Sequence, residues 1–194
     1  MCGDSTPDTP RSPRLLLSRR HLILGGFAAM SVVAKPALAS PPRPMAEAAR
    51  ALQFHNLHTG EALHATYWER GRYRPDALGE INYLLRDHRT GDVGTMAPAL
   101  LDLLHRLHRV MRSHEPFEVI SGYRSPKTNA ALAARSGGVA TDSLHMRGMA
   151  IDVRLPGRAL RDLHMAALNL KGGGVGYYRK SNFIHLDVGA VRRW

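Results

Sequence analysis

Apolar and polar residues alternate along positions 52–58 and again along 62–68, and this period of two predicts a pair of strands. Thr59, Gly60 and Glu61 between them have the chemistry of a hairpin turn. The period then lengthens. From Pro75 onward, Leu78, Ile81, Leu84 and Leu85 recur at helical spacing, and proline suits a first helical position. Gly91, Asp92 and Gly94 break that helix. A second helix follows Pro98, with a broad buried face formed by Leu100, Leu101, Leu103, Leu104, Leu107, Val110 and Met111.

Residues 117–121 read as a strand, and 122–126 as the turn after it. Ser125 is placed to cap a short helix that starts at Pro126 and runs to about Arg135. Ser136, Gly137 and Gly138 form a loop. A strand over 149–155, a helix over 158–170, a glycine turn at 171–174 leading into 175–178, and a last long strand over 183–188 complete the order. Arg192, Arg193 and Trp194 read as a solvated basic tail, with contact to the glycan as the alternative. The order predicts an α+β domain: a small antiparallel sheet with helices packed on one side.

The first 39 residues do not fit that domain. Arg19 and Arg20 precede a mild apolar run from Leu22 to Ala34 that contains Gly25 and Gly26, and Ala37-Leu38-Ala39 is a small-x-small cleavage site. The run is short of the roughly 20 residues that span a bilayer. Paired arginines before such a run predict a cleaved twin-arginine export signal; an uncleaved amphipathic anchor is the alternative. Residues 40–50, rich in proline at their start, read as a tether, and 51–194 as one folded domain. Cleavage would leave no stable membrane span and would remove Cys2, the sole cysteine, so the mature protein would hold no disulfide. The expected location is the periplasm, and the expected state is a monomer.

Charge narrows the partner. The net charge is +11; the signal accounts for +3 of it and the remainder for +8. A basic exported domain suits an anionic polymer outside the cytoplasm. Nucleic acid is the other usual partner, but export and the lack of a zinc-finger, basic-zipper or stacking-aromatic motif argue against it.

Candidate chemistry lies in two segments. His145 and Asp152 sit in Ser143-Leu144-His145-Met146-Arg147-Gly148-Met149-Ala150-Ile151-Asp152, and His185 sits in Asn182-Phe183-Ile184-His185-Leu186-Asp187. Two imidazoles and a carboxylate are a zinc ligand set that leaves a fourth tetrahedral position open for water, and this points to a hydrolase. Strand parity supports the grouping. Ile151 and Val153 face one way and Asp152 the other; Ile184 and Leu186 face one way, His185 and Asp187 the other. A lone histidine on a strand is more often a structural residue, so the weight rests on the combination. His105 and His108, three apart on a helix, are expected on its solvated face beside Arg106 and Arg109. His58 could border the cleft, though the hairpin surface is the plainer place for it.

The pattern Ser-x-His-x-x-Gly-x-Ala-x-Asp at 143–152, with Ser121-Gly122-Tyr123-Arg124 before it and His185-x-Asp187 after it, resembles the zinc peptidases of the D-Ala-D-Ala carboxypeptidase group, peptidase family M15. Within that group it is similar to exported murein endopeptidases, over roughly residues 50–194. The resemblance implies an M15 and Hedgehog-type zinc peptidase fold with the metal on the sheet face. It implies one zinc per chain, held by His145, Asp152 and His185, and Arg124 binding the scissile carbonyl. Peptidoglycan stem peptides become the expected substrate. The implied cut is at cross-links between two meso-diaminopimelate residues, and it can include D-alanyl-diaminopimelate links.

Several family members carry an acidic residue three positions before the last histidine; here it is Asn182, which cannot accept a proton. Asp187 is the nearest carboxylate in sequence. It either takes part in proton transfer or orients His185. Ser143 either bonds within the site or caps the loop, Arg124 either serves the cleft or makes a structural ion pair, and Tyr177 and Tyr178 either line the substrate groove, Tyr177 being the one assigned to substrate, or pack the sheet. Two other functions stay in view. One is a D,D-carboxypeptidase or dipeptidase that trims a free end. The other is a non-catalytic wall-binding module that uses zinc only to fold.

Overall fold

The structure is a computed structural model that describes residues 48–135 and 140–194. The expected signal at 1–39 and most of the expected tether at 40–50 lie outside the described residues, as does the loop at 136–138. Among the described residues no helix is long and apolar enough to cross a membrane.

The elements follow in the order β1 (Arg50–Asn56), β2 (Ala62–Glu69), β3 (Arg72–Tyr73), α1 (Pro75–Leu84), α2 (Pro98–Met111), β4 (Phe117–Ser121) and α3 (Pro126–Arg135). A short 3-10 turn (Leu144–Arg147) comes next, then β5 (Ala150–Arg154), α4 (Leu160–Leu170), β6 (Gly174–Tyr178), β7 (Phe183–Asp187) and β8 (Arg192–Arg193). Prolines open three of the helices, where their missing N–H costs nothing. Ser125 caps α3 as expected: its hydroxyl accepts from the Thr128 N–H at 3.2 Å.

The strands make one eight-stranded sheet in the order β3-β2-β1-β4-β5-β7-β6-β8. This corrects the expectation of a small antiparallel sheet. The β1–β4 and β6–β8 pairs are parallel, so the sheet is mixed as well as large. Two of its strands are two-residue edge pieces that no periodicity could reveal. The parallel β1–β4 pairing joins strands some sixty residues apart, and local pattern carries no information about it.

One apolar core lies under the sheet. Leu52, Phe54, Phe117, Val119, Ile151, Val153, Ile184 and Leu186 from the strands meet Ile81 of α1, the leucines of α2, and Leu163 and Ala167 of α4. Helix α3 gives no residue to this core. Val110 is another correction. The periodicity puts it on the buried face of α2, but it is 55% exposed, because it lies at the edge of the stripe formed by Leu100, Leu101, Leu103, Leu104 and Leu107. His105 and His108 are half-buried rather than solvated: His105 meets the Tyr67 ring edge-on and His108 packs on Phe117.

The core accounts for the placement of the site. Side chains on one strand alternate between faces, so burying Ile151, Val153, Ile184 and Leu186 obliges Asp152 and His185 to point out of the opposite face. Register does the rest. Ser121, Asp152, His185 and Gly176 pair in one row across β4, β5, β7 and β6. A bulge between Val119 and Ser121 brings Ser121 into that row.

Candidate metal centre

Three elements converge on one point. Strands β5 and β7 present Asp152 and His185 side by side, and the 3-10 turn brings His145 above them. The turn is held at both ends. Ser143 caps it, its hydroxyl accepting from the His145 N–H at 3.4 Å. Gly148 closes it in the left-handed region at φ 65°, and a Cβ there would stand 1.9 Å from the Thr95 carbonyl oxygen. Only glycine fits that position.

Segment 122–124 docks the turn from the other side. The Gly122 carbonyl receives His145 Nδ1–H at 2.8 Å, and the Arg124 N–H donates to the His145 carbonyl at 3.2 Å. The Ser121-Gly122-Tyr123-Arg124 run therefore does two jobs. It orients His145 and it delivers Arg124 to the same cleft.

The three candidate ligand atoms are His145 Nε2, His185 Nδ1 and Asp152 Oδ1. They lie 3.2 Å (His145–His185), 2.9 Å (His185–Asp152) and 3.3 Å (His145–Asp152) apart. Ligands about 2.0–2.1 Å from a tetrahedral ion stand about 3.3 Å from one another. The outer nitrogens are already committed. His145 Nδ1–H donates to Gly122, and His185 Nε2–H donates to Asp187 Oδ2 at 3.1 Å, so in the neutral rings both inner nitrogens present lone pairs. Three acceptor atoms facing one another form a site that a cation would satisfy. The residues thus fit a divalent ion with one open position, and among the described residues no fourth His, Cys, Asp or Glu joins the cluster.

Electrostatics agree with that reading. Burial pushes the Asp152 carboxyl up, but the two imidazoles outweigh it and hold it well below the ordinary carboxylate range. Burial pulls His185 down, but Asp152 and Asp187 outweigh it and raise it above the usual value. Proton and metal ion therefore compete for His185 Nδ1.

Asp187 is fully buried. Its Oδ1 accepts from the Gly174 N–H (3.0 Å), the Gly189 N–H (2.8 Å) and Arg192 Nη1 (3.2 Å). Its Oδ2 accepts from Arg192 Nη2 (2.7 Å) and from His185. Burial would raise its pKa, but these donors hold it well below the ordinary range.

Arg124 lies beside the cluster with Nη2 3.7 Å from Asp152 Oδ2. Nη1 donates to Asn129 Oδ1 at 3.3 Å, Nη2 reaches the Ser121 hydroxyl at 3.5 Å, and Nε is buried with no partner. Asn129 in turn donates to the carbonyls of Ala140 and Thr141, so α3 ties Arg124 to the segment that leads into the His145 turn. The pattern of the chain did not single out Asn129. Asn129 and Thr128 are the two buried residues of α3, and nothing in the local pattern marks them.

A pocket of about 460 Å³ opens over the cluster, lined among others by Arg124, Ser143, His145, Asp152, Tyr178, His185 and Trp194. Tyr177 is not brought to it. It has the opposite parity from the Gly176–His185 pair and packs on His164 of α4 at 4.8 Å between ring centroids. Tyr178 lines the pocket in its place. Asn182 is exposed, on a turn at φ 53°, a conformation that asparagine tolerates better than most residues. His58 bonds the Ile120 carbonyl and stacks on His88, outside the pocket.

A mixed sheet carrying this His-Asp-His set belongs to the M15 class of peptidases: a family model described as peptidoglycan L,D-endopeptidase MepK matches residues 44–194. The peptidoglycan L,D-endopeptidase MepK of Escherichia coli (strain K12) is 42% identical over 179 residues, covering 91% of this chain and 96% of that protein. The probable peptidoglycan L,D-endopeptidase MepK of Haemophilus influenzae is 41% identical over 181 residues, covering 91% and 94%. The protein is therefore a peptidase, and it belongs to the MepK family of M15 peptidases.

Proposed function

We propose that this peptidase is an exported, zinc-dependent murein endopeptidase that hydrolyses peptide cross-links of peptidoglycan. The carrying observation is the trio of lone-pair atoms within 3.3 Å of one another, under an open pocket beside the half-buried Arg124. The relatives' names, peptidoglycan L,D-endopeptidase, support the substrate. The basic net charge supports it too, since stem peptides carry several carboxylates. The bond we assign is that between two meso-diaminopimelate residues, with D-alanyl-diaminopimelate as a further candidate. The paired arginines and Ala37-Leu38-Ala39 support twin-arginine export to the periplasm.

His145, Asp152 and His185 would hold one zinc ion through Nε2, Oδ1 and Nδ1. Zinc in such a site supplies a Lewis acid and a water whose pKa falls toward about 7. Arg124, which lines the pocket beside Asp152, binds the scissile carbonyl oxygen and stabilises the negative charge that develops there. Ser143 serves by capping the His145 turn. For Asp187 the orienting role is favoured over proton transfer, because both of its oxygens are taken by donors in a buried setting. A wall-binding module with structural zinc is disfavoured by the open fourth position.

The test is digestion of defined soluble muropeptides with products weighed by mass spectrometry. Cleavage of a diaminopimelate-linked dimer into two intact stem peptides supports the endopeptidase. Loss of a single terminal residue from an uncross-linked stem would instead assign a carboxypeptidase.

A further inference from the structure

The row Ser121–Asp152–His185–Gly176 defines a groove that runs across the strands, and its two ends differ in chemistry. Arg124 stands at the β4 end. At the β6 end stands Trp194, which the pattern of the chain placed in a solvated tail. Its position is built from several directions. Strand β8 pairs with β6, the Tyr177 N–H donates to the Trp194 carbonyl at 3.0 Å, and the Trp194 N–H donates to the Val175 carbonyl at 3.3 Å. The indole lies over Gly176, where a Cβ would come within 2.7 Å of the ring. Its centroid is 5.2 Å from that of His185, and the Arg192 guanidinium, from β8 just before it, sits 5.0 Å from the ring centroid.

The polar capacity of this end is already used. Trp194 Nε1–H donates to the Tyr178 hydroxyl at 2.9 Å, and Arg192 is held in a two-point pair with Asp187. What remains is a flat aromatic face, 49% exposed, bordering the pocket beside a metal-ligand candidate. Such a face complements an aliphatic stretch rather than a charged group.

We propose that Trp194 is a substrate-binding residue of the cleft: its indole face forms a subsite for the methylene chain of the diamino-acid residue lying across the scissile bond from Arg124. This rests on the endopeptidase reading of the same site. Gly176 makes the subsite possible by leaving room for the ring, and Tyr178 fixes the ring's rotation.

The experiment uses the full chain, a purified diaminopimelate-linked muropeptide dimer and the variants Trp194→Ala, Trp194→Phe and Gly176→Ala. Lost contact with a few methylenes predicts a KM raised about tenfold in Trp194→Ala, with kcat within about threefold and zinc affinity unchanged. Trp194→Phe recovers part of the loss. Gly176→Ala, which displaces the indole without removing it, raises KM as Trp194→Ala does. A second readout needs neither metal nor turnover. The chain has two tryptophans, so the Trp194 indole N–H resonance is assigned as the one missing from Trp194→Phe. It shifts when the dimer is titrated into metal-free protein. An unchanged KM in Trp194→Ala, an unmoved resonance, or a loss confined to zinc affinity overturns the proposal. If wild type fails to cleave the dimer at all, the endopeptidase reading fails instead, and the two failures are told apart.

Discussion

Replacing Asp187 by asparagine tests whether this residue acts through His185 or on the substrate. The side chain keeps its shape, but one oxygen becomes an NH2 group. Oδ1 receives two backbone N–H groups and Arg192, so the amide oxygen is held there, and the NH2 falls at Oδ2, facing Arg192 Nη2 and His185 Nε2. Donor then meets donor. His185 escapes by moving its proton to Nδ1, which removes the lone pair aimed at the metal point. Loss of such an outer partner typically costs about 10–100-fold in metal affinity.

Stability also falls. A buried charge-paired carboxylate is lost, worth about 3–5 kcal/mol when one partner of a buried pair is removed. Arg192 is 44% exposed and can be resolvated, so about 2–3 kcal/mol is the better expectation. At about 2–4 °C per kcal/mol, the melting temperature drops by roughly 4–12 °C. The assay is zinc titration against a chromophoric chelator, with calorimetry on the same samples. Wild-type zinc affinity and melting temperature together with abolished cleavage would refute this reasoning and make Asp187 the proton acceptor.

Four further expectations follow from the geometry. Arg124→Ala lowers kcat by about 100-fold while zinc stays bound, measured on a soluble muropeptide; a change in KM alone would contradict its placement at the carbonyl. In the metal-free protein the raised pKa of His185 contributes stability that is full below the unfolded value of about 6.5 and is lost as pH rises through the folded value. Calorimetry of that form should show melting temperature falling over this range, while zinc affinity rises across the same range as the competing proton leaves. Gly148→Ala forces a Cβ to 1.9 Å from the Thr95 carbonyl at a positive φ, so it should destabilise by at least about 1–2 kcal/mol and weaken zinc binding by moving His145. A variant as stable and as tightly metal-bound as wild type would show that the turn relaxes freely.

Much of the site was legible because strand parity is local. The alternation of Ile151, Asp152 and Val153, and of Ile184, His185 and Leu186, is enough to aim Asp152 and His185 out of the same sheet once the core is known. The helices opened by Pro75, Pro98 and Pro126 were equally plain. What stayed hidden depends on register between distant strands. Choosing between Tyr177 and Tyr178 requires knowing that Gly176 pairs with His185, and nothing near those tyrosines encodes it. Trp194 reads as tail because β8 is two residues long and gains its place only by pairing with β6. The size and mixed direction of the sheet were missed for the same reason, since β1 and β4 pair in parallel across a long connection. Asp187 was half legible: parity put it beside His185, but only the folded chain shows five donors on its two oxygens.

The most direct measurement is digestion of purified sacculi by three preparations: protein as isolated, protein stripped by a chelator, and stripped protein restored with one equivalent of zinc, with released muropeptides identified by mass. The expected result is release of peptide-cleaved products by the first and third, none by the second, and none by a His185→Ala variant given the same zinc. Full release by the stripped protein, or by the variant, would contradict the claim that His145, Asp152 and His185 act by holding a metal.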